Sequence, residues 1–150
     1  MIKHFPETTL SADVLAQLCE FYSYLDTSRL PQLSRIYHPQ VVFIDPVSHY
    51  EGVDALEHYF AQLLKKVNYC RFEIQPPLVQ GDEASLFWQM GFSHPALKKG
   101  QEMFLNGASH LRMNENRIIY QRDYYDLGAM LYEHVPVLGS AVRAVKARLK

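Results

Sequence analysis

Apolar positions in the first part of the chain fall on helical stripes. Val14, Leu15, Leu18, Phe21, Tyr22 and Leu25 recur at the spacing of one helical face and predict a helix over residues 11–25. Ser11 is placed to cap it, with Asp13 adding negative charge to its first turn. A second, short helix is predicted at about residues 29–37, with Pro31 tolerated near its start. Residues 41–45 read as a strand, which Pro46 ends by withdrawing a backbone donor. Gly52-Val53-Asp54 then opens the most regular helix. Leu56, Tyr59, Phe60, Leu63, Leu64 and Val67 share its apolar stripe, while Glu57, Lys65 and Lys66 point elsewhere.

After Asn68 the period changes from helical to alternating. Residues 69–79, 83–93, 101–113 and 117–126 read as four strands. The breaks between them fall at Gln80-Gly81-Asp82, at 95–100 and at Asn114-Glu115-Asn116. Short connections imply antiparallel pairing, so the helices must cover one face of the sheet: an α+β domain. The remaining stretch, 127–150, reads as helical on either side of Pro136. Arg143, Lys146, Arg148 and Lys150 oppose Ala141, Val142, Val145 and Leu149 there. Such an end could lie on an anionic membrane or dock on a partner, or be a solvated helix whose cations suit its dipole. No repeat, low-complexity run or linker divides the chain, and one domain over 1–150 is expected, with its core at 11–126.

Composition narrows the function classes. In 150 residues, 48% are apolar and 21% charged, which argues against extensive disorder. A net charge of -1 provides no electrostatic footprint for nucleic acid. No run approaches ~18 consecutive apolar residues, and Met1-Ile2-Lys3-His4-Phe5-Pro6 is followed by polar residues where a signal peptide needs an apolar stretch. The expected location is the cytoplasm, with Cys19 and Cys70 reduced. Aromatic residues reach 13%, which suits either a packed core or the wall of an apolar cavity.

Two carboxylates could carry chemistry. In Val41-Val42-Phe43-Ile44-Asp45-Pro46-Val47, Asp45 ends an apolar strand. Facing a cavity, it would be raised in pKa by burial and prepared to take a proton; otherwise it makes an Asx turn before the next helix. In the last strand, alternation puts Gln121, Asp123 and Tyr125 on one face and Arg122, Tyr124 and Asp126 on the other. Asp123 could line a cavity wall or pair with a neighbouring Arg, and Asp126 is expected to cap the C-terminal helix. The seven histidines show no HxH or HExxH spacing, and GxSxG, P-loop and GxGxxG motifs are missing, so no metal or cofactor is expected.

The order of elements, the Asp-Pro strand end and the closing Arg122-Asp123-Tyr124-Tyr125-Asp126 together resemble the nuclear transport factor two-like superfamily. That superfamily includes ketosteroid isomerases, SnoaL-like polyketide cyclases and limonene epoxide hydrolases, and the resemblance spans about residues 11–126. It implies a cone: a strongly curved antiparallel sheet wrapped around the N-terminal helices, with a ligand cavity at its open end. It also implies a homodimer through the outer face of the sheet. Phe43-Ile44-Asp45-Pro46-Val47 before Gly52 is similar to the isomerase segment that holds the general base, with Asp45 at the base position. The isomerase oxyanion tyrosine falls on Phe21, one residue from Tyr22, and the second donor, an aspartic acid, falls on Ser109 before His110. Both donors are thus replaced, which argues against steroid isomerisation. Asp123 matches a carboxylate of the epoxide hydrolase and SnoaL-like groups, whose Arg and second Asp come from a neighbouring strand. Here residues 86–92 correspond to that strand by the resemblance, and they hold neither.

Two readings of function follow. In one, the chain is an isomerase, cyclase or hydratase for a small apolar substrate, with Asp45 as base and Asp123 as acid or orienting group. Phe21, Tyr22, Phe43, Trp88, Ser109, Gln121 and Tyr125 then form the pocket. In the other it binds a ligand or partner without turnover. Peripheral membrane contact through 138–150 is a third, minor expectation.

Overall fold

The computed structural model describes residues 9–130 and 136–150, with the backbone alone at 9–11, 130, 136 and 137. The expectation drawn from residues 1–6 lies outside the described residues. Helix α1 (Thr9–Ser23) buries Val14, Leu15, Leu18, Phe21 and Tyr22, the predicted stripe. The chain is already helical at Thr9, so Ser11 is not the cap, and the first turn holds no acid. The single short helix expected next is two pieces. A 3-10 helix, Thr27–Gln32, carries Pro31 and is capped by Asp26, whose Oδ1 accepts from Ser28 N at 2.9 Å. One α turn, α2 (Leu33–Ile36), follows it.

Strand β1 (Tyr37–Ile44) begins four residues before the expected start, because Tyr37 and Val41 are wholly buried against the core. A short strand not foreseen, β2 (His49–Glu51), folds back on β1; three edge residues are too few to show a period. Gly52, at φ 90°, makes the turn into α3 (Val53–Lys66), a conformation that L side chains rarely adopt. The strand predicted over 69–79 is broken in two, β3 (Tyr69–Ile74) and β4 (Leu78–Gln80). Pro76 and Pro77 fall between them and can donate nothing to a ladder. β5 (Glu83–Ser93), β6 (Met103–Asn114) and β7 (Arg117–Tyr125) form the long meander. α4 (Leu127–Met130) and α5 (Pro136–Arg148) end the chain.

The seven strands make one sheet in the order β2-β1-β7-β6-β5-β3, with β4 also on β5. All pairs are antiparallel except β1 with β7, which is parallel and sets Phe43 opposite Gln121. A bulge in β7 skips Ile119, since Arg112 pairs with Tyr120 and Met113 with Ile118. Beyond it Gln121, Asp123 and Tyr125 face inward together. On the inner face Ala84, Leu86, Trp88, Phe92, Leu105, Ser109 and Leu111 are buried under the helices. Each fully buried Leu or Phe contributes about 1.5–3 kcal/mol. Phe87, Phe104 and Tyr124 stand exposed on the opposite face. This is the curved α+β sheet with covering helices and a C-terminal helical extension that the sequence predicts.

The end of β7 is tied to the last helix. Asp126 Oδ1 accepts from Ala129 N at 3.1 Å and Oδ2 from Lys146 Nζ at 2.6 Å, so Asp126 caps α4 as expected and also holds α5. Val145 on α5 and Leu149 just after it remain exposed. No helix among the described residues is long and apolar enough to cross a membrane.

Candidate functional site

The open end of the curved sheet leaves a cavity of about 430 Å³ between α3, β1 and the strands β3, β5 and β7. Ring contacts build its walls. Tyr22 meets Phe72 edge-on at 5.0 Å, Phe72 meets Trp88 at 5.0 Å, and Trp88 lies 6.3 Å from Tyr125. On the other side Tyr50 and Tyr59 are 4.7 Å apart, with Phe43 and Phe60 behind them. Such a volume is within the ordinary range for small-molecule sites, whose walls are mostly apolar with a few fixed polar groups.

Asp123 is one of those polar groups, and the sheet holds it from below. Ser109, directly opposite on β6, donates to its Oδ1 at 2.6 Å, and Gln121 Nε2 donates to the same oxygen at 2.9 Å. Trp88 Nε1 donates to Ser109 Oγ at 2.9 Å. Tyr37 donates to Gln121 Oε1 at 2.6 Å, which uses its only proton, so Tyr22 is the donor in the 3.0 Å contact with Tyr37. Both donor chains therefore end on Asp123 Oδ1, with Gln121 Nε2 also reaching Tyr22 OH at 3.5 Å, and Oδ2 accepts nothing among the described residues. Burial pushes the Asp123 carboxyl up to about 6, against the pull of the Ser109 and Gln121 hydrogen bonds, and nearby Asp45 adds to the rise. With Oδ1 saturated, the acid proton belongs on Oδ2.

Asp45 makes the Asx turn and also lines the cavity. Its Oδ1 accepts from Val47 N at 2.8 Å, Ser48 N at 2.8 Å and Ser48 Oγ at 3.0 Å, an Asx turn that Pro46 helps to shape. Yet the residue is 9% exposed and lines the cavity. Only Oδ2 is left for it, where Tyr59 OH approaches to 3.5 Å. Burial first, and Asp45 second, keep the Tyr59 phenol protonated far above its usual range; the same causes act on Tyr125.

Of the residues chosen from sequence, Asp45, Asp123, Tyr22, Phe43, Trp88 and Tyr125 line the cavity. Ser109 and Gln121 are buried behind Asp123 and reach it only by hydrogen bonds. Phe21 does not reach the cavity: it is wholly buried, edge-on to Tyr22 and Phe60, while Tyr22 beside it lines the wall. Residues 86–92, matched to the strand beside Asp123, lie in β5, and β6 separates them from β7. Asp123 makes no ion pair with a neighbouring Arg among the described residues. Sequence reasoning missed Tyr37, buried deep in the network, and the cavity residues Tyr50, Tyr59, His58, Lys66 and His94. Tyr59 sits on the predicted apolar stripe of α3, and its phenol was the available signal. Among the described residues no three His, Cys, Asp or Glu side chains converge as metal ligands would.

A curved sheet wrapped around helices and open at one end onto an aromatic cavity is the nuclear transport factor two-like fold. More narrowly, the chain belongs to the SnoaL-like domain family, whose sequence profile matches residues 18–121. Solved structures share the fold at low identity. An NTF2-like protein of unknown function from Burkholderia pseudomallei K96243 superposes with a TM-score of 0.72 at 13% identity, covering 83% of this chain and 96% of that one. A protein of ketosteroid isomerase-like fold from Catenulispora acidiphila DSM 44928, in complex with trimethylamine, superposes at 0.68 with 15% identity, covering 85% and 92%. An LEH-like epoxide hydrolase from M. tuberculosis superposes at 0.69 with 14% identity, covering 93% and 99%. The search of curated proteins returned no match.

Proposed function

We propose that the protein binds a small, largely apolar molecule in the cone and moves a proton on it, as an isomerase or cyclase does. The supporting observation is the pair of carboxylates on one apolar cavity in unlike surroundings. Asp45 has one oxygen committed to a turn and one turned to the cavity, which suits a proton acceptor. Asp123, pushed up to about 6, carries a proton for part of the time near neutrality and suits the donor. Two carboxyl groups held apart by environment are a general means of dividing base and acid work. Tyr125, whose phenol has no hydrogen-bond partner among the described residues, and Tyr59 are the donors available to a developing oxyanion. They replace the pair that Phe21 and Ser109 do not supply.

The test starts from native mass spectrometry of protein purified from its own host, to identify the molecule that it carries. That molecule is then incubated with the protein in D2O. Proton transfer leaves deuterium on carbon even where no net product accumulates. Wild-type protein exchanges the label, and Asp123→Asn and Asp45→Asn each slow it by about a hundredfold or more. Tight binding with no exchange over a prolonged incubation would favour the non-catalytic reading, which the replaced donors also support.

The same proposal extends to assembly and place. Phe87, Phe104 and Tyr124 give the outer face of the sheet an apolar surface for a second copy. The two free cysteines, Cys19 and Cys70, suit the reducing cytoplasm.

A further inference from the structure

Helix α3 sends three polar side chains to the cavity lining at one-turn intervals: His58, Gln62 and Lys66. His94, just beyond β5, joins them. His58 and Lys66 are exposed and His94 is half-buried, so they mark the mouth, whereas Asp45 is buried and Asp123 is held from behind by the sheet. The cavity is therefore polarised along its depth. Carboxyl groups are inside, cation-capable groups are at the opening, and aromatic walls separate them. Ala96 N donates to His94 Nδ1 at 3.0 Å, so the neutral ring carries its proton on Nε2 as a hydrogen-bond donor. Among the described residues no carboxylate pairs with Lys66 or His58. These groups are open to a carboxylate that the described residues do not provide.

We infer that the ligand of this cavity is an acid: an apolar body ending in a carboxylate, with the carboxylate held at the mouth by Lys66 and His94, which the pairing of β3 with β5 brings to the same end of the cavity. Its far end then lies against Asp45 and Asp123. The inference rests on the cavity being a ligand site, and it adds the charge and the direction of the ligand. A reversed pose would bring a carboxylate beside Asp45 and Asp123, where like charges repel and no cation lies among the network donors. Charge complementarity of this kind fixes orientation more than it adds affinity. The carbon that loses or gains a proton is consequently at the end of the molecule away from its acid group.

Two probes of one shape separate charge from fit: anthracene-2-carboxylate and anthracene-2-carboxamide. Trp88, the only tryptophan of the chain, stands in the cavity wall and reports binding through its quenched emission. The expected result is a preference of about tenfold or more for the carboxylate in the wild-type protein. In Lys66→Gln combined with His94→Gln, that preference disappears. Equal affinity for both probes in the wild type, or a preference that survives the double substitution, would overturn the inference and leave the ligand-site reading intact. Binding of neither probe would overturn both.

Discussion

At Asp123 one carboxyl group links stability to chemistry. Its ordinary value in an unfolded chain is about 3.9, and burial in the fold pushes it up to about 6. Between those values the folded protein keeps a proton that the unfolded chain has released. Unfolding free energy therefore falls as pH rises through that window, by up to about 3 kcal/mol. Asn at this position accepts the Ser109 and Gln121 hydrogen bonds and presents a donor toward the cavity, as the protonated acid does. Asp123→Asn should match the wild type in melting temperature at about pH 4 and exceed it by several degrees at about pH 7.5, while losing proton transfer. A gap that does not widen with pH would show that the carboxyl is not raised. Tyr37 tests the same network from behind. Tyr37→Phe leaves Gln121 Oε1 and Tyr22 OH buried without their partner, at a cost of about 1–3 kcal/mol in urea denaturation.

At the scale of elements, strand pairing decides where the indole of Trp88 lies. Trp88 faces Gly107 across β5 and β6, and a Cβ added at Gly107 would stand 2.2 Å from the Trp88 ring. Gly107→Ala must push the indole into the cavity and away from Ser109. The expected result is a loss of about 1–3 kcal/mol and a shifted Trp emission maximum in the ligand-free protein. The turn between β1 and β2 gives a second test. Asp45→Asn keeps an oxygen for the three hydrogen bonds of that turn, but Asp45→Ala gives them all up. Ala should therefore lower the melting temperature clearly more than Asn, while both lose exchange activity. The helical stripes and the alternation of β7 were legible because each element buries one face. The Asx turn and the inward set Gln121, Asp123 and Tyr125 followed from local pattern alone. Strand β2, the break at Pro76-Pro77 and the parallel partner of β1 were not legible as a pattern. The first is too short to show a period, the second interrupts a run of otherwise β-prone residues, and the third is chosen by tertiary packing.

For the molecule as a whole, the outer face of the sheet is the surface proposed for a second copy. Phe104 is 60% exposed and Phe87 46%, on adjacent strands. Phe104→Glu should convert a dimer into a monomer by light scattering on a sizing column, with the cavity still able to quench Trp88. A wild-type protein that elutes as a monomer would remove the proposal. The cone was legible through the resemblance in element order rather than through any single motif. Its site was legible in part. Asp45 and Asp123 each have a recognisable local sequence, whereas Tyr37 and the groups at the mouth meet the cavity only through contacts distant in sequence.

The parallel pairing of β1 with β7 has a consequence for how the protein comes into being. Tyr37 and Gln121, joined by a hydrogen bond beneath the site, are 84 positions apart. On a ribosome, β1 can pair with β2 at once but waits for residues 117–125 before its parallel neighbour β7 emerges. Closing such a distant pair is slow compared with forming the local meander. Asp45 and Asp123 thus come together late in folding, so a chain interrupted before residue 121 has its first helices but no cavity for them to cover.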